Sequence, residues 1–110
     1  MRREPLQCPF CDNYLRPPVD IRIKSLEIIG GICTCGAVYV LDRRGHNLGE
    51  IYLDALTFLC RGDIDKALTL MPEDYEEETL GYDMNTNTIS RREDKRGRTG
   101  KLVFVRMTDL

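Results

Sequence analysis

The first 45 residues alternate short apolar runs with turn-forming residues, a pattern typical of strands. Ile21 and Ile23 alternate with polar neighbours, which indicates a strand with one buried face. Residues 37–41, Ala-Val-Tyr-Val-Leu, are a β-branched and aromatic run and predict a buried strand. The pair at 30–31, Gly-Gly, indicates a turn or a close backbone approach. A long helix is excluded by four prolines, at positions 5, 9, 17 and 18.

Residues 46–72 change to helical spacing. Apolar residues recur every three or four positions in two stripes: Leu48, Tyr52, Ala55, Leu56 and Leu59, then Ile64, Ala67, Leu68 and Met71. Asn47 is the expected N-cap of the first helix and Gly62 its expected stop, while Asp63 can cap the second. We predict two short helices packed as a hairpin, with Met71 in its core. A helix-turn-helix is the alternative, but the second helix carries only Lys66 as a base to meet DNA.

The last third of the chain combines a run of acids with two apolar segments. Five of the six residues 73–78 are acidic, and we expect this run to continue the helical region or to form a solvated connector. Thr88–Ser90 and Leu102–Val105 have the composition of strands. Because the residues between them are basic and lack large apolar side chains, we predict a β-hairpin with a long basic loop over residues 91–101.

These elements predict an α+β protein in three segments. They are a turn-rich unit over residues 1–45, a helical hairpin over 46–72, and an acidic connector with a C-terminal β-hairpin over 73–110. The chain has 110 residues, no tryptophan, three phenylalanines and five tyrosines, so its core must be small and mostly aliphatic. We therefore expect one compact unit, which would fold more securely with a staple such as a metal.

Charge and hydropathy narrow the choice of partner. The formal net charge is −2, so the chain as a whole lacks the basic character of a nucleic-acid-binding domain. No apolar run is long enough to span a bilayer, and the N-terminal residues are not followed by the apolar stretch of a signal peptide. We expect a cytoplasmic protein without membrane contact.

Four of the five cysteines fall in two close pairs, as Cys-Pro-Phe-Cys over residues 8–11 and as Cys-Thr-Cys-Gly over residues 33–36. In a reducing cytosol this clustering favours metal ligation over disulfides. Four thiolates close a tetrahedron around Zn²⁺, so we predict a zinc site. Asp12 follows the first pair where such turns usually place glycine, and aspartate tolerates a left-handed φ. Gly36 supplies the same freedom in the second turn.

At these residues the chain resembles a zinc ribbon, a fold in which two ligand-bearing turns on short β-hairpins clamp one metal. The resemblance covers residues 5–42 and implies four ligands: Cys8, Cys11, Cys33 and Cys35. The second pair departs from the usual pattern because it is Cys-x-Cys, and the gap of 21 residues between the pairs is slightly long. His46 is therefore the natural substitute for Cys33 or Cys35. The wider pattern, with Gly-Gly-Ile-Cys-Thr-Cys-Gly-Ala and then Gly-His-Asn-Leu-Gly-Glu, is also similar to small bacterial proteins without an assigned role.

Other interpretations of the cysteines stay open. Cys-x-x-Cys is also a redox spacing, although that motif normally begins a helix after a strand. Iron is the alternative metal, as in rubredoxin, but the low aromatic content speaks against a rubredoxin core. Free buried cysteines behave as small apolar residues, an unusual arrangement for four in two pairs. Cys60, near the end of the first helix, is expected to be a core or half-buried thiol.

The chemistry of the chain does not favour catalysis. Four thiolates leave no open position on the metal, one histidine limits acid–base chemistry, and no catalytic triad or phosphate-binding glycine loop is recognisable. We expect a small accessory protein that binds a protein partner through the helical hairpin, which predicts an exposed apolar patch beside the helices. The alternative is nucleic-acid binding by bases on one face: Arg2, Arg3, Arg16, Arg22, Lys24, Arg43, Arg44 and the 91–101 loop. A third class is an electron-transfer or redox protein, which needs iron or a reversible disulfide.

Overall fold

The computed structural model describes residues 4–42, 48–90 and 100–108. The strands are β1 (Glu4–Pro5), β2 (Val19–Ile23), β3 (Leu26–Ile32), β4 (Val38–Asp42), β5 (Tyr75–Asp83), β6 (Thr88–Ser90) and β7 (Gly100–Met107). The helices are α1 (Leu48–Leu59) and α2 (Ile64–Thr69), and a 3₁₀ turn (Pro72–Asp74) leads into β5. The strands form one antiparallel sheet in the order β1-β6-β5-β7-β4-β3-β2. The predicted α+β class is confirmed, and strands from the first and the third predicted segments share this sheet.

The centre of the sheet is buried on both faces. All five residues of β4 are buried, as the run at 37–41 predicted. On one face α1 packs on the sheet, and its Phe58 lies in one apolar cluster with Val40 of β4 and Val103 of β7. On the other face Tyr39 and Phe104 lie in a second cluster, their ring centroids 5.4 Å apart. A sheet with two covered faces needs apolar side chains in both directions, which explains why β4 and β7 lack the polar alternation of a half-exposed strand.

The face opposite the helices is covered by the N-terminal segment. Leu6 is buried there, and Phe10 and Leu15 pack against the same cluster. The hydroxyl of Tyr39 donates a hydrogen bond of 2.7 Å to the carbonyl oxygen of Arg16, which ties this segment to β4. Residues 6–16 are therefore a lid over the sheet that contains little regular secondary structure of its own.

Gly31 permits a close approach of neighbouring strands. It pairs with Tyr39 across β3 and β4, and a Cβ at position 31 would overlap the tyrosine ring. Of the two roles predicted for the glycine pair at 30–31, the close approach is therefore the one observed, and the turn is not. The turn that precedes β3 lies instead at Lys24, whose φ is 56°.

The helix boundaries follow the predicted caps. The N–H of Arg61 donates to Phe58 O at 2.9 Å and the N–H of Gly62 to Thr57 O at 2.8 Å, which is the hydrogen-bond pattern of a Schellman end. The left-handed residue that ends α1 in this pattern is Arg61, with a φ of 57°, and the predicted stop Gly62 follows it with a φ of 89°. Asp63 Oδ1 accepts a bond of 3.1 Å from the N–H of Lys66 and so caps α2. Asn47, the expected cap of α1, lies outside the described residues.

The predicted core stripe of α2 is wrong except at Ala67. Ala67 is buried against α1, but Ile64, Leu68 and Met71 are 48%, 66% and 55% exposed. The physical reason is that a six-residue helix contacts its neighbour along one narrow line, and the chain then turns away into the 3₁₀ turn. Within the described ranges, nothing covers the outer apolar side of α2, and no helix there is long and apolar enough to cross a bilayer.

Most of the acidic run is a strand, which corrects the expected connector or helix extension, and only Glu73 and Asp74 lie before it in the 3₁₀ turn. Glu76, Glu77 and Glu78 lie in β5, where they pair with Arg106, Val105 and Phe104 of β7. These glutamates obscure the strand pattern in the sequence, because the apolar residues of β5, Tyr75, Leu80 and Tyr82, are separated by polar positions. Pairing with a buried central strand overrides the low strand propensity of glutamate.

The C-terminal hairpin is present, but it is formed by β5 and β6. Tyr82 pairs with Ile89, and the two strands are joined through residues 84–87. The strand predicted at 102–105 lies in β7, which pairs with the other edge of β5 and with β4. The segments at 88–90 and 102–105 are therefore separated by β5 and are not paired with each other. Residues 91–99 of the predicted basic loop lie outside the described residues.

Candidate metal centre

The first cysteine pair lies in a tight turn, here called the first knuckle (residues 8–12). The N–H of Asp12 donates to Cys8 O at 2.8 Å, and the N–H of Cys8 donates to Asn13 O at 2.9 Å. Asp12 has a φ of 65°, the left-handed conformation that was expected at this position. An isolated bridge between Gln7 and Tyr14 closes the base of the turn.

The second pair lies in the turn between β3 and β4, here called the second knuckle (residues 33–36). The N–H of Cys33 donates to Ala37 O at 2.8 Å, and the N–H of Gly36 donates to Cys33 O at 3.0 Å. Gly36 has a φ of 97°, so the short Cys-x-Cys spacing is accommodated by a glycine turn. Asn13 Nδ2 donates to Thr34 Oγ1 at 3.1 Å and links the two knuckles.

The four sulfurs meet between the knuckles. All of them lie within 4.8 Å of one another, with Cys8 Sγ 3.7 Å from Cys35 Sγ and Cys11 Sγ 3.4 Å from Cys33 Sγ. A regular tetrahedron with Zn–S bonds of about 2.3 Å has S···S edges of about 3.8 Å. A disulfide would need about 2.05 Å, and all four cysteines are free. The structure thus brings the four predicted residues to metal-binding distance, while His46 lies outside the described residues.

Backbone N–H groups point at the sulfurs as they do in thiolate metal sites. Burial raises the pKa of Cys8 to about 12, against hydrogen bonds from the N–H groups of Phe10 and Cys11. Burial also opposes ionisation of Cys35, but the N–H of Ala37 and the neighbouring thiols lower its pKa to about 7. For Cys11 the N–H of Asn13 favours the thiolate, yet burial and the thiols of the second knuckle leave the pKa raised. Four neighbouring thiols cannot all ionise without repulsion between their charges, and a bound cation that replaces the protons removes this repulsion.

The site is half enclosed. Cys8 and Cys33 are 0% and 2% exposed, whereas Cys11 and Cys35 are half-buried. Ala37 lies in the same buried cluster, and Phe10 packs against both this cluster and the sheet core. One sulfur of each pair is therefore screened from water, and one can be approached from outside.

Arg106 lies beside the site, at a position that no pattern in the sequence singled out. Its guanidinium carbon is 4.9 Å from the centroid of the Phe10 ring in the first knuckle. Its Nε and Nη2 donate to Glu76 Oε2 at 2.9 and 2.7 Å. The bond to Glu76 raises the pKa of Arg106, and contact with Cys35 adds to that rise. A local sequence signal could not have revealed this contact, because it depends on the register of β5 against β7.

The remaining candidate residues lie away from the sulfurs. Cys60 is a half-buried thiol just after α1, as predicted, and burial raises its pKa. Arg22, one of the bases assigned to nucleic acid, has its Nε 3.0 Å from Glu27 Oε1 across β2 and β3. Both residues belong to surface structure outside the four-cysteine cluster.

Comparison of the chain with protein families, with curated proteins and with solved structures returns no match. The resemblance to a zinc ribbon is therefore supported by the cysteine geometry alone. Two glycine-like turns that present four sulfurs at tetrahedral spacing are compatible with the knuckles of that fold. The donor set fits a soft or borderline dication, and both Zn²⁺ and iron accept four thiolates in this geometry.

Proposed function

We propose that this chain is a non-enzymatic zinc protein in which the metal has a structural role. Cys8, Cys11, Cys33 and Cys35 would hold Zn²⁺, which clamps the first knuckle to the second. The support is the placement of the sulfurs, since two lie on the N-terminal segment and two lie between central strands of the sheet. Four thiolates complete the coordination of zinc and leave no position for a substrate or water. A cytosolic location, in which these thiols stay reduced, is part of the proposal.

The zinc platform would serve as an adaptor that binds a protein partner through its helical unit. One observation carries this step, the exposure of Ile64 and Leu68 on α2 and of Met71 just after it. An adaptor of this kind requires an apolar patch beside the helices, and a polar surface there would have spoken against it. Ile64 and Leu68 lie one helical turn apart on the same side of α2, and Met71 follows in extended backbone.

Nucleic-acid binding has weaker support. Of the bases assigned to it, Arg16, Arg22, Lys24 and Lys101 lie in the described ranges, and the guanidinium of Arg22 is paired with Glu27. Zinc has the stronger case over iron because the aromatic content is low, but the sulfur geometry serves either metal. The identity of the bound metal therefore has to be measured.

The test is purification from native cells with bound partners retained, together with metal quantitation. We expect about one zinc per chain, as one site requires, and a colourless preparation. We also expect a protein partner that is retained by the wild type and lost from a Leu68→Ser variant, while an Ile32→Ser variant keeps it. Ile32 is a matched control because it is also highly exposed, at 65%, but lies on β3. Red, iron-containing protein or co-purified nucleic acid released by salt would contradict the proposal.

A further inference from the structure

The charge of this protein is divided unevenly along the chain. Residues 48–90 contain ten acids and two bases, a net charge of −8, while the chain as a whole has a net charge of −2. The remaining residues therefore carry a net charge of +6. Residues 48–90 form both helices, the 3₁₀ turn, β5 and β6. The exposed apolar residues of α2 thus belong to the acidic segment of the chain.

Acidic side chains flank the apolar face of α2. We define this face, the α2 face, as Ile64, Leu68 and Met71. At about 100° per helical residue, Asp65 lies about 60° from Leu68, whereas Lys66 lies about 160° away on the other side of the helix. Asp65 is exposed, and so is Glu73, two residues beyond Met71. On α2 the apolar pair Ile64 and Leu68 therefore has Asp65 beside it and Lys66 on the far side of the helix, and Glu73 is an exposed acid close to Met71 in the chain.

The chain's own basic segment is an unsuitable cover for this face. Residues 91–98 read Arg-Arg-Glu-Asp-Lys-Arg-Gly-Arg, which supplies positive charge but no apolar side chain. Covering three exposed hydrophobic side chains requires a ligand that brings both an apolar stripe and cationic borders. Ile64 and Leu68 lie one turn apart on α2, which matches the i and i+4 anchors that a helical ligand presents in return, and Met71 adds a third exposed apolar side chain after the helix.

We propose that the α2 face binds a basic amphipathic helix of a partner protein. The apolar stripe of that helix packs on the α2 face, and its flanking Lys or Arg side chains lie against Asp65 and Glu73. This inference rests on the proposed adaptor function and specifies its partner. The acidic surroundings accelerate and orient the encounter, so binding weakens as salt rises.

The probe is a fluorescent peptide of about 14 residues, long enough for four helical turns, built from Leu and Lys in a heptad pattern. Binding to the full-length zinc-loaded protein is measured by fluorescence anisotropy. A peptide of the same composition in scrambled order tests whether the apolar stripe matters. A peptide with Glu in place of Lys tests whether the charge matters. We expect binding of the patterned Leu/Lys peptide alone, and a weakening of several-fold between about 0.05 and 0.3 M salt.

Variants of the protein locate the site. Leu68→Ser is expected to weaken binding at least about ten-fold, because it removes the most exposed anchor of the face. The double variant Asp65→Asn with Glu73→Gln is expected to reduce both the affinity and the salt dependence. Ile32→Ser is the matched control, since Ile32 is equally exposed on β3, and it should bind like the wild type. Circular dichroism and zinc content confirm that each variant is folded.

The outcomes separate this inference from the function on which it rests. Equal binding by the Leu68→Ser and Ile32→Ser variants, equal binding of the scrambled peptide, or no binding to a folded zinc protein overturns the inference and leaves the zinc platform intact. A dimer in sedimentation that Leu68→Ser dissociates assigns the face to a second copy and likewise overturns it. A protein in which residues 6–16 keep their hydrogen-exchange protection after zinc is removed contradicts the structural role of the metal, whatever the peptide does.

Discussion

Replacing Cys8 with serine is expected to release the metal and to detach the N-terminal segment from the sheet. Cys8 is fully buried, and its sulfur is one vertex of the proposed tetrahedron, 3.7 Å from Cys35 Sγ along one edge. A serine hydroxyl does not replace a thiolate on zinc, and three thiolates hold the ion less tightly. Because β4 and β7 keep their own buried core, we expect the sheet to remain while residues 6–16 lose their fixed position.

The size of the stability loss follows from the interactions that hold residues 6–16 on the sheet. Leu6 is buried and Phe10 and Leu15 are partly buried against the sheet, where a fully buried side chain of this kind contributes about 1.5–3 kcal/mol. Ordering the backbone of residues 6–16 costs about 1 kcal/mol or more per residue, so these contacts and the hydrogen bonds of the segment at best balance that cost. The metal supplies the margin that holds the segment in place, since zinc at a thousandfold excess over its dissociation constant stabilises the fold by about 4 kcal/mol. For a chain of this size, loss of the whole margin corresponds to a fall in Tm of about 15 °C.

The assay combines zinc quantitation, thermal unfolding and hydrogen exchange read by mass spectrometry. In the Cys8→Ser variant, amides of residues 6–16 should lose protection, whereas those of β4 and β7 should keep most of theirs. Chelation of zinc from the wild type should give the same pattern, which separates loss of metal from the cost of a buried hydroxyl. Cys60→Ser is the matched control, because Cys60 is a half-buried thiol outside the cluster, and it should keep its zinc.

One result would refute the reasoning. A Cys8→Ser protein that retains one zinc per chain and melts within about 2 °C of the wild type would show that the sulfurs do not hold a structural metal. Loss of protection throughout the sheet would show instead that the N-terminal segment is part of the core rather than a lid on it.

Three further predictions concern the surroundings of the site. Arg106→Met should speed the transfer of zinc to a chelating dye several-fold with little change in Tm, because the guanidinium steadies the first knuckle and offsets thiolate charge. Zinc binding near pH 7.5 should release the protons of Cys8, whose pKa is about 12, and of Cys11, whose pKa is also raised, while Cys35 with a pKa of about 7 is already largely ionised. The affinity for zinc should therefore fall as pH falls, and calorimetry in buffers of different ionisation enthalpy measures the proton release. Gly31→Ala should destabilise the fold by about 1–3 kcal/mol in urea unfolding, because its Cβ overlaps the ring of Tyr39, and an unchanged midpoint would contradict that packing.

Much of the metal centre could be predicted from the sequence because its determinants are local. The two cysteine pairs each lie within one turn, and the residues that permit those turns, Asp12 and Gly36, have the left-handed φ that their types suggested. The caps at Gly62 and Asp63 likewise depend on hydrogen bonds between residues three to five positions apart. A short stretch of sequence contains all the partners of such contacts, so its pattern is sufficient to predict them.

The sequence alone therefore determined that two cysteine turns exist, that the two helices meet at residues 61–63, and that the run at 37–41 is a buried strand. Only the tertiary structure decided that the acids of β5 pair with β7, that Arg106 reaches Glu76 beside the sulfurs, and that none of the described residues covers the α2 face. Those outcomes depend on which strand lies next to which and on how much of a helix its neighbours reach. Partners distant in the chain set them, and local hydropathy and propensity contain no information on those partners.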